Sequence, residues 1–165
     1  MDVPAGKLRD KGTPIDNLSK FDGGKETIVY LAGSRELKGK ILVFATKTAM
    51  VKQVPAEEFE TNNRTVAATK LQDGDALVSV TPVEGQTEVV LRTSNGVFLR
   101  FMLEEISVMK KNARGVRGIK LARGEELEAL YLLGEDPVVD YKGKEVHMNR
   151  LKLAKRDGKG SKVRL

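Results

Sequence analysis

The stretch Ile41–Phe59 reads ILVFATKTAMVKQVPAEEF, and its pattern returns at Val89–Ile106 as VVLRTSNGVFLRFMLEEI. Each copy has an apolar run, a turn led by threonine, a second apolar run and a pair of adjacent glutamates. The copies are 47 residues apart, counted from Thr46 to Thr93. Short apolar runs bounded by turn residues are typical of β-strands, so this stretch predicts a repeated pair of strands.

A second half completes each copy. Leu71–Val80 and Leu121–Leu130 both begin with a glycine-containing turn and continue as an apolar run. The segment 8–31 reads as a second half alone, and the segment 138–163 as a first half followed by the start of a second. Four short strands in every 45–50 residues are typical of propeller blades. The sequence therefore predicts an all-β, propeller-like array of four-stranded blades, with about three blade equivalents.

The predicted boundaries divide a single domain, residues 1–165, into a half blade at 8–32, whole blades at 39–82 and 87–134, and a partial blade at 136–165. A mobile tail is one alternative for residues 155–165. Spacing of leucines in Ala122–Leu133 also fits a helix, but alignment with the first copy favours a strand. The other predicted strands are Thr27–Leu31, Ile41–Thr46, Met50–Val54, Ala67–Leu71 and Ala76–Val80.

A basic loop lies inside the second copy, where Lys110–Arg123 reads KKNARGVRGIKLAR, with six cations and no acid. Gly115 and Gly118 allow a positive φ or a close approach of the backbone to a partner. Clustered Lys and Arg suit a phosphate backbone, although they could equally be ordinary surface charges. Lys52 and Arg100 rank last because they sit on predicted strands. The candidate DNA-binding residues are Arg9, Lys11, Arg64, Arg100, Lys110, Lys111, Arg114, Arg117, Lys120, Lys155, Arg156, Lys159 and Lys162.

Composition narrows the function classes. A net charge of +6 permits a polyanionic partner without requiring one, and the absence of cysteine excludes disulfides and thiolate metal sites. No apolar stretch is long enough for a signal peptide or a membrane span, so we expect a cytoplasmic location. His147 has no partner ligands at suitable spacing, and adjacent glutamates on a strand point apart. The sequence therefore indicates no metal, no cofactor and no catalytic activity.

Three runs carry a resemblance to a known family: Arg9–Leu18, Phe44–Phe59 and Ala113–Leu121. They resemble successive blades of the carboxy-terminal domain in the A subunits of bacterial type IIA topoisomerases, which gyrase and topoisomerase IV both carry. The resemblance covers nearly the whole chain in the family's own blade order. It implies a β-pinwheel whose basic rim binds and bends duplex DNA at the nucleoid.

The resemblance also implies partners and a parent enzyme. The expected partners are duplex DNA, the rest of the A subunit, and through it the ATPase B subunit. The parent enzyme is then an ATP-dependent type II DNA topoisomerase, an isomerase whose topology preference this non-catalytic domain sets.

Two departures from the family pattern fall in the first copy, with Ala49 in place of the usual Gly and Gln53 in place of Arg or Lys. The gyrase-specific run Gln-Arg-Arg-Gly-Gly-Lys-Gly is absent ahead of the first blade, which favours topoisomerase IV over gyrase. The main alternative function is a protein-interaction module with an incidental basic rim. An RNA-binding β module is a weaker alternative, because aromatic residues for base stacking are few.

Overall fold

The computed structural model of the chain describes residues 5–7, 11–12, 22–63, 66–135 and 137–163. The chain divides into two compact units, Met1–Ile28 with Thr61–Val66 and Val29–Glu60 with Ala67–Leu165. In the first unit, a carboxylate oxygen of Asp22 accepts a hydrogen bond from the Gly24 N–H at 3.0 Å. All the strands given below lie in the second unit.

The first whole repeat, residues 39–82, builds most of a four-stranded antiparallel sheet. β1 (Ile41–Thr46) pairs with both β2 (Met50–Pro55) and β3 (Leu77–Pro82). The fourth strand is β6 (Val116–Arg117), which pairs with β2. The strand order is therefore β3-β1-β2-β6, and the outermost strand comes from the next repeat.

The second repeat, residues 87–134, follows the same plan. β4 (Glu88–Thr93) pairs with β5 (Val97–Met102) and β7 (Leu127–Leu132), and β10 (Ser161–Lys162) adds to β5. The order β10-β5-β4-β7 again takes its outermost strand from the repeat that follows. This exchange of strands between neighbouring repeats produces the pinwheel form of a blade array.

The third repeat, residues 136–163, contributes a two-stranded sheet of β8 (Val138–Tyr141) and β9 (Lys144–His147). In the described part of the chain, a short helix, α1 (Ser34–Leu37), precedes β1. A 3-10 turn follows the second strand of each repeat, at Ala56–Phe59, Leu103–Glu105 and Met148–Arg150.

One apolar core joins the two four-stranded sheets. Val43 and Val51 of the first sheet and Leu91 and Phe101 of the second are fully buried in it, together with Ile119. The other face of β1 packs on a second cluster. Because both faces of β1 are covered, its sequence is a continuous apolar run rather than an alternating one.

Several sequence predictions are confirmed. β1, β2 and β3 lie within one or two residues of their predicted bounds, and Ala122–Leu133 contains a strand, β7, not a helix. The predicted turn led by threonine in the second copy joins β4 to β5 through Ser94–Gly96, and Gly96 has φ +71°. His147 lies in the strand β9. The all-β blade array is therefore correct.

Other strand predictions are wrong. Thr27–Leu31 and Ala67–Leu71 are in no strand among the described residues. The counterpart of Ala67–Leu71 one repeat later begins with β6, which is a strand only because β2 of the preceding repeat lies beside it. The described residues ahead of β1 form no sheet that could pair in the same way. The segment 155–163, for which a tail was one alternative, instead contacts β5 through β10.

Candidate nucleic-acid interface

Two glycines set the path of the basic segment of the second repeat, residues 110–118, which we call the second loop. Gly115 has φ +92°, and a Cβ atom added to it would lie 2.5 Å from the carbonyl oxygen of Val51. A Cβ atom at Gly118 would lie 2.5 Å from Cδ1 of Leu91. The Gly115 contact is far closer than a side chain tolerates, and a Cβ atom at Gly118 would also lie 3.1 Å from Cγ1 of Val51. These glycines therefore allow the second loop to lie directly on the preceding sheet.

The basic segment of the third repeat, residues 155–162, is held in the same way, and we call it the third loop. Gly160 is the counterpart of Gly115, 45 residues later, and it has φ +67°. A Cβ atom on Gly160 would lie 2.7 Å from the carbonyl oxygen of Phe98. Phe98 is itself the counterpart of Val51, so the two loops cross equivalent strands at equivalent points.

The cations of the two loops recur at equivalent positions, 45 residues apart. All six side chains of these pairs are exposed. The pairs are Lys110 with Lys155, Arg114 with Lys159, and Arg117 with Lys162. Because both loops have the same backbone course, the array presents the same cations twice.

A fourth pair of cations ties the loops to the preceding repeat. Lys111 donates its backbone N–H to Oε2 of Glu58 at 3.4 Å and its Nζ to the carbonyl oxygen of Glu58 at 3.0 Å. Arg156 makes the same two contacts with Glu105, at 3.0 and 2.9 Å. These two glutamates stand in the 3-10 turns, so one member of each repeated acidic pair links neighbouring repeats.

Arg100 also makes contacts within the domain. Its Nε donates to Oε2 of Glu88 at 2.6 Å, and its Nη1 donates to the carbonyl oxygens of Asn149 and Leu151 at 2.6 and 2.9 Å. The side chain is only 17% exposed. Arg100 therefore contacts the third repeat at its junction with the second, and it is not one of the exposed cations of the two loops.

Lys52 is a buried lysine that supports the second loop from below. Its Nζ donates to the carbonyl oxygens of Lys111 and Ala113, the latter at 3.0 Å, and it lies 5.3 Å from the centre of the Phe44 ring. Burial lowers the pKa of its ammonium group. A cation inside an apolar run was the sequence signal for this role.

Asp157 is a functional candidate that the sequence analysis missed. Its two carboxylate oxygens accept hydrogen bonds from Nε and Nη2 of Arg117, the second at 3.0 Å. The hydrogen bond from Arg117 lowers the pKa of Asp157, and the charges of Lys120 and Arg156 act in the same direction. An acidic residue within the basic third loop was the available signal, but its partner is 40 residues away.

The remaining candidates fall into three groups. Arg9 and Arg64 lie outside the described residues, and Lys11 is exposed in the first unit. In the described part of the second unit, six predicted side chains are exposed and make no hydrogen bond or ion pair with protein groups: Lys110, Arg114, Lys120, Lys155, Lys159 and Lys162. Beside the third loop, which carries three of these cations, runs a groove of about 340 Å³.

Two negative findings concern the described residues alone. They contain no group of three histidine, aspartate or glutamate side chains that could hold a metal ion. None of their helices has the length and apolarity needed to cross a membrane.

Comparison with known proteins identifies the family. The model of the DNA gyrase C-terminal domain, beta-propeller, matches residues 40–84 and 87–133, which are the first and second repeats. The chain belongs to this family. The resemblance seen in the sequence is thereby confirmed, and each matched segment supplies three of the four strands of one sheet.

Similar curated proteins are DNA gyrase A subunits. The chain is 33% identical over 129 residues to that of Klebsiella oxytoca, covering 78% of this chain and 15% of the relative. It is 29% identical over 172 aligned residues to that of Staphylococcus aureus (strain NCTC 8325 / PS 47), covering 98% and 19%. The chain thus spans less than a fifth of the length of these relatives.

Solved structures share the fold. A crystal structure of the C-terminal domain of DNA topoisomerase IV superimposes with a TM-score of 0.82 at 24% identity, covering 96% of this chain and 51% of that one. A structure of the DNA gyrase A C-terminal domain gives 0.74 at 21% identity, covering 93% and 53%. The gyrase-type blade array described above is therefore the fold of this chain.

Proposed function

We propose that this gyrase-type domain binds duplex DNA through its second and third loops and bends it, without itself catalysing a reaction. The observation that carries the proposal is the recurrence of exposed cations at equivalent positions of successive loops. Lysine and arginine contacts to phosphates release condensed counterions, which supplies most of a sequence-independent affinity for DNA. The same contacts set the position of a duplex but do not read its bases.

The contacts that anchor the two loops support this function. Each loop lies on the preceding sheet through a glycine and is fastened to a glutamate of the preceding 3-10 turn. The backbone that carries the cations is positioned before the duplex arrives, so less conformational entropy of the loop is lost on binding. We therefore expect binding with weak sequence preference and strong salt dependence.

Bending follows from binding to cations on one side of the duplex. Smooth bending of a 20–30 base-pair site costs on the order of 1–6 kcal/mol, which extra phosphate contacts can offset. In this proposal the two successive loops supply these cations along one side of the duplex. The test of bending is energy transfer between dyes on the ends of a duplex of about 30 base pairs. Saturating protein should shorten the end-to-end distance, and an unchanged distance would reduce the proposal to binding alone.

The parent protein is proposed from the family. Because the matched relatives are whole A subunits of gyrase, we propose that this segment belongs to the A subunit of an ATP-dependent type II topoisomerase. Its partners would be DNA, the rest of the A subunit, and through it the ATPase B subunit. The domain would act in the cytoplasm, at the nucleoid, where it sets topological preference.

The binding test compares two fourfold variants of equal charge. The loop variant changes Lys110, Arg114, Lys155 and Lys159 to Gln. The control variant changes Arg35, Lys38, Lys142 and Lys144 to Gln. These four residues are also exposed but lie outside the two loops. Affinity for a labelled duplex is measured by gel shift or anisotropy over a salt series. We expect the loop variant to lose most of its affinity and the control to lose little.

Three outcomes would contradict the proposal. If wild type does not bind duplex DNA at low salt, the function is wrong. If both variants lose affinity equally, DNA affinity depends on net charge and not on the two loops. If an acidic protein displaces the duplex and still binds the loop variant, the protein-interaction alternative is favoured.

A further inference from the structure

The Asp157 carboxylate lies among three cations where the second and third loops meet. Arg117 binds it through two nitrogens, and the charge of Lys120 also acts on it. Arg156 donates Nη1 to the carbonyl oxygen of Arg117 at 2.7 Å, so its guanidinium lies against the same backbone. Lys120 is joined to the third loop by a backbone hydrogen bond to Gly158 at 2.9 Å. Three cations from two repeats thus converge on one anion.

The way in which Arg117 holds Asp157 is also the way in which arginine holds phosphate. A guanidinium binds carboxylate or phosphate oxygens through two parallel N–H groups, so one anion can take the place of the other. Both side chains are open to solvent, with Arg117 54% exposed and Asp157 34% exposed. A phosphate could therefore approach Arg117 while the carboxylate turns away.

The backbone of Asp157 does not depend on the ion pair. Its N–H donates to the carbonyl oxygen of Gly118 at 2.8 Å, and its φ of +64° is set by the turn. Asparagine tolerates this conformation as well as aspartate does. The carboxylate can consequently leave Arg117, or be replaced by an amide, while the third loop keeps its course.

The preceding junction lacks both members of the pair. Asn112 stands 45 residues before Asp157, and Ala67 stands 50 residues before Arg117 at the counterpart positions. Where the arginine is missing, the carboxylate is missing too. The ion pair is therefore not needed to join two repeats of this array, and another role for it is open.

We propose that Arg117, Lys120 and Arg156 form a phosphate subsite at the junction of the second and third repeats, and that Asp157 occupies this subsite until a DNA phosphate displaces it. The proposal rests on the proposed function, because the ligand is a phosphate of the bound duplex. Asp157 is then an internal competitor. One potential phosphate contact requires an existing ion pair to open, so binding is weaker and less salt-dependent than the number of cations predicts.

The test is the variant Asp157→Asn, which removes the charge and keeps the shape. We expect its affinity for a 30 base-pair duplex at low salt to rise about two- to fivefold, the range expected for opening one exposed ion pair. The slope of log K against log salt should steepen by up to about 0.9, the value for one additional neutralised phosphate. The mass of the variant is checked before use, because an asparagine that precedes a glycine deamidates.

Two further variants separate the subsite from a general charge effect. Asp140→Asn removes one exposed carboxylate that accepts a hydrogen bond from the Gly143 N–H, and it should leave affinity nearly unchanged. In an Arg117→Gln background, Asp157→Asn should lose most of its effect, since the arginine that it releases is absent. Thermal unfolding of each variant shows whether the fold is intact.

The outcomes distinguish this inference from the proposed function. If wild type binds duplex DNA and Asp157→Asn binds equally or more weakly, the subsite is refuted while DNA binding stands. If Asp140→Asn raises affinity as much, or if the gain persists without Arg117, the effect is general charge and the subsite is again refuted. If wild type does not bind duplex DNA, both proposals fall.

Discussion

The two four-stranded sheets have the same backbone plan but use different polar residues to hold it. Both have the same strand order, and both shift register before the threonine that ends the central strand, at Ala45/Thr46 and Arg92/Thr93. At equivalent positions, however, Lys52 of the first sheet corresponds to Leu99 of the second. The apolar runs and the glycines therefore determine the sheet, while the polar contacts can be exchanged.

Gln53 and Arg100 show how such an exchange works. Gln53, at the position of Arg100, donates Nε2 to the carbonyl oxygens of Leu103 and Ile106 at 3.2 and 2.6 Å. Arg100 reaches the carbonyls of the next turn in the same way and adds an ion pair with Glu88. Gln53, which departs from the family pattern, thus still links the first repeat to the second although it carries no charge.

The largest effect is expected from Gly115→Ala, which tests whether close approach is what both sheets share. The new Cβ atom would meet the Val51 carbonyl in a conformation with positive φ. Left-handed strain and overpacking together should lower the free energy of unfolding by about 3 kcal/mol or more, measured by urea denaturation. Gly124→Ala is the control, because its φ is +74° but its surroundings are open, and it should lose only about 1 kcal/mol. Equal losses would contradict the close-approach account.

The next effect is expected from Lys52→Leu, which gives the first sheet the residue of the second. Two loop carbonyls lose their donor, and release of a buried charge offsets part of that loss, so we expect destabilisation of roughly 1–2 kcal/mol at pH 7. Hydrogen exchange should quicken in the second loop and not in the third.

The pH dependence of the same variant tests the buried charge. Because burial lowers the pKa of Lys52 in the folded state, the unfolded chain binds more protons as pH rises towards 10.5. Wild type should therefore gain stability relative to Lys52→Leu between neutral pH and that value. A constant difference would show that Lys52 titrates alike in both states.

A smaller effect is expected from Arg100→Gln, which gives the second sheet the residue of the first. The amide can still reach the next turn, but Glu88 loses its cation, so we expect a loss of about 1 kcal/mol in thermal or urea unfolding. DNA affinity should stay within about twofold of the wild-type value, because the cation that is removed is not an exposed one. A steep fall in DNA affinity with unchanged stability would show that Arg100 contributes to DNA binding.

The smallest effect is expected from Ala49→Gly at the first hairpin. Ala49 has φ +65°, a conformation that costs a non-glycine residue about 1–2 kcal/mol, but its methyl group is fully buried. Lost burial and added chain entropy oppose the relief of strain, so unfolding free energy should change by less than about 1 kcal/mol. The reverse exchange, Gly96→Ala, should cost more, because its Cβ atom would lie 2.7 Å from the Tyr141 hydroxyl. Equal and opposite changes would contradict this interpretation.

The sequence was sufficient to predict the repeat and most strands, because β1, β2 and β7 are apolar runs bounded by clear turns. It could not predict β6 or β10, since a two-residue strand has no periodicity and exists only beside its neighbour. The loop cations were predictable as a set. Their division into exposed cations and ones that fasten repeats together depends on partners 39 to 53 residues away, which no local pattern reveals.

The central claim is that equivalent cations of successive repeats contact one duplex, and the salt slope of DNA binding tests it most directly. Slopes are measured for wild type, for Lys110→Gln/Arg114→Gln, for Lys155→Gln/Lys159→Gln and for the combination. Each double variant should make the slope shallower by about 1.8, and the combination by about 3.6, because each lost phosphate contact removes about 0.9. A slope that changes with one loop only, or with neither, would contradict the account.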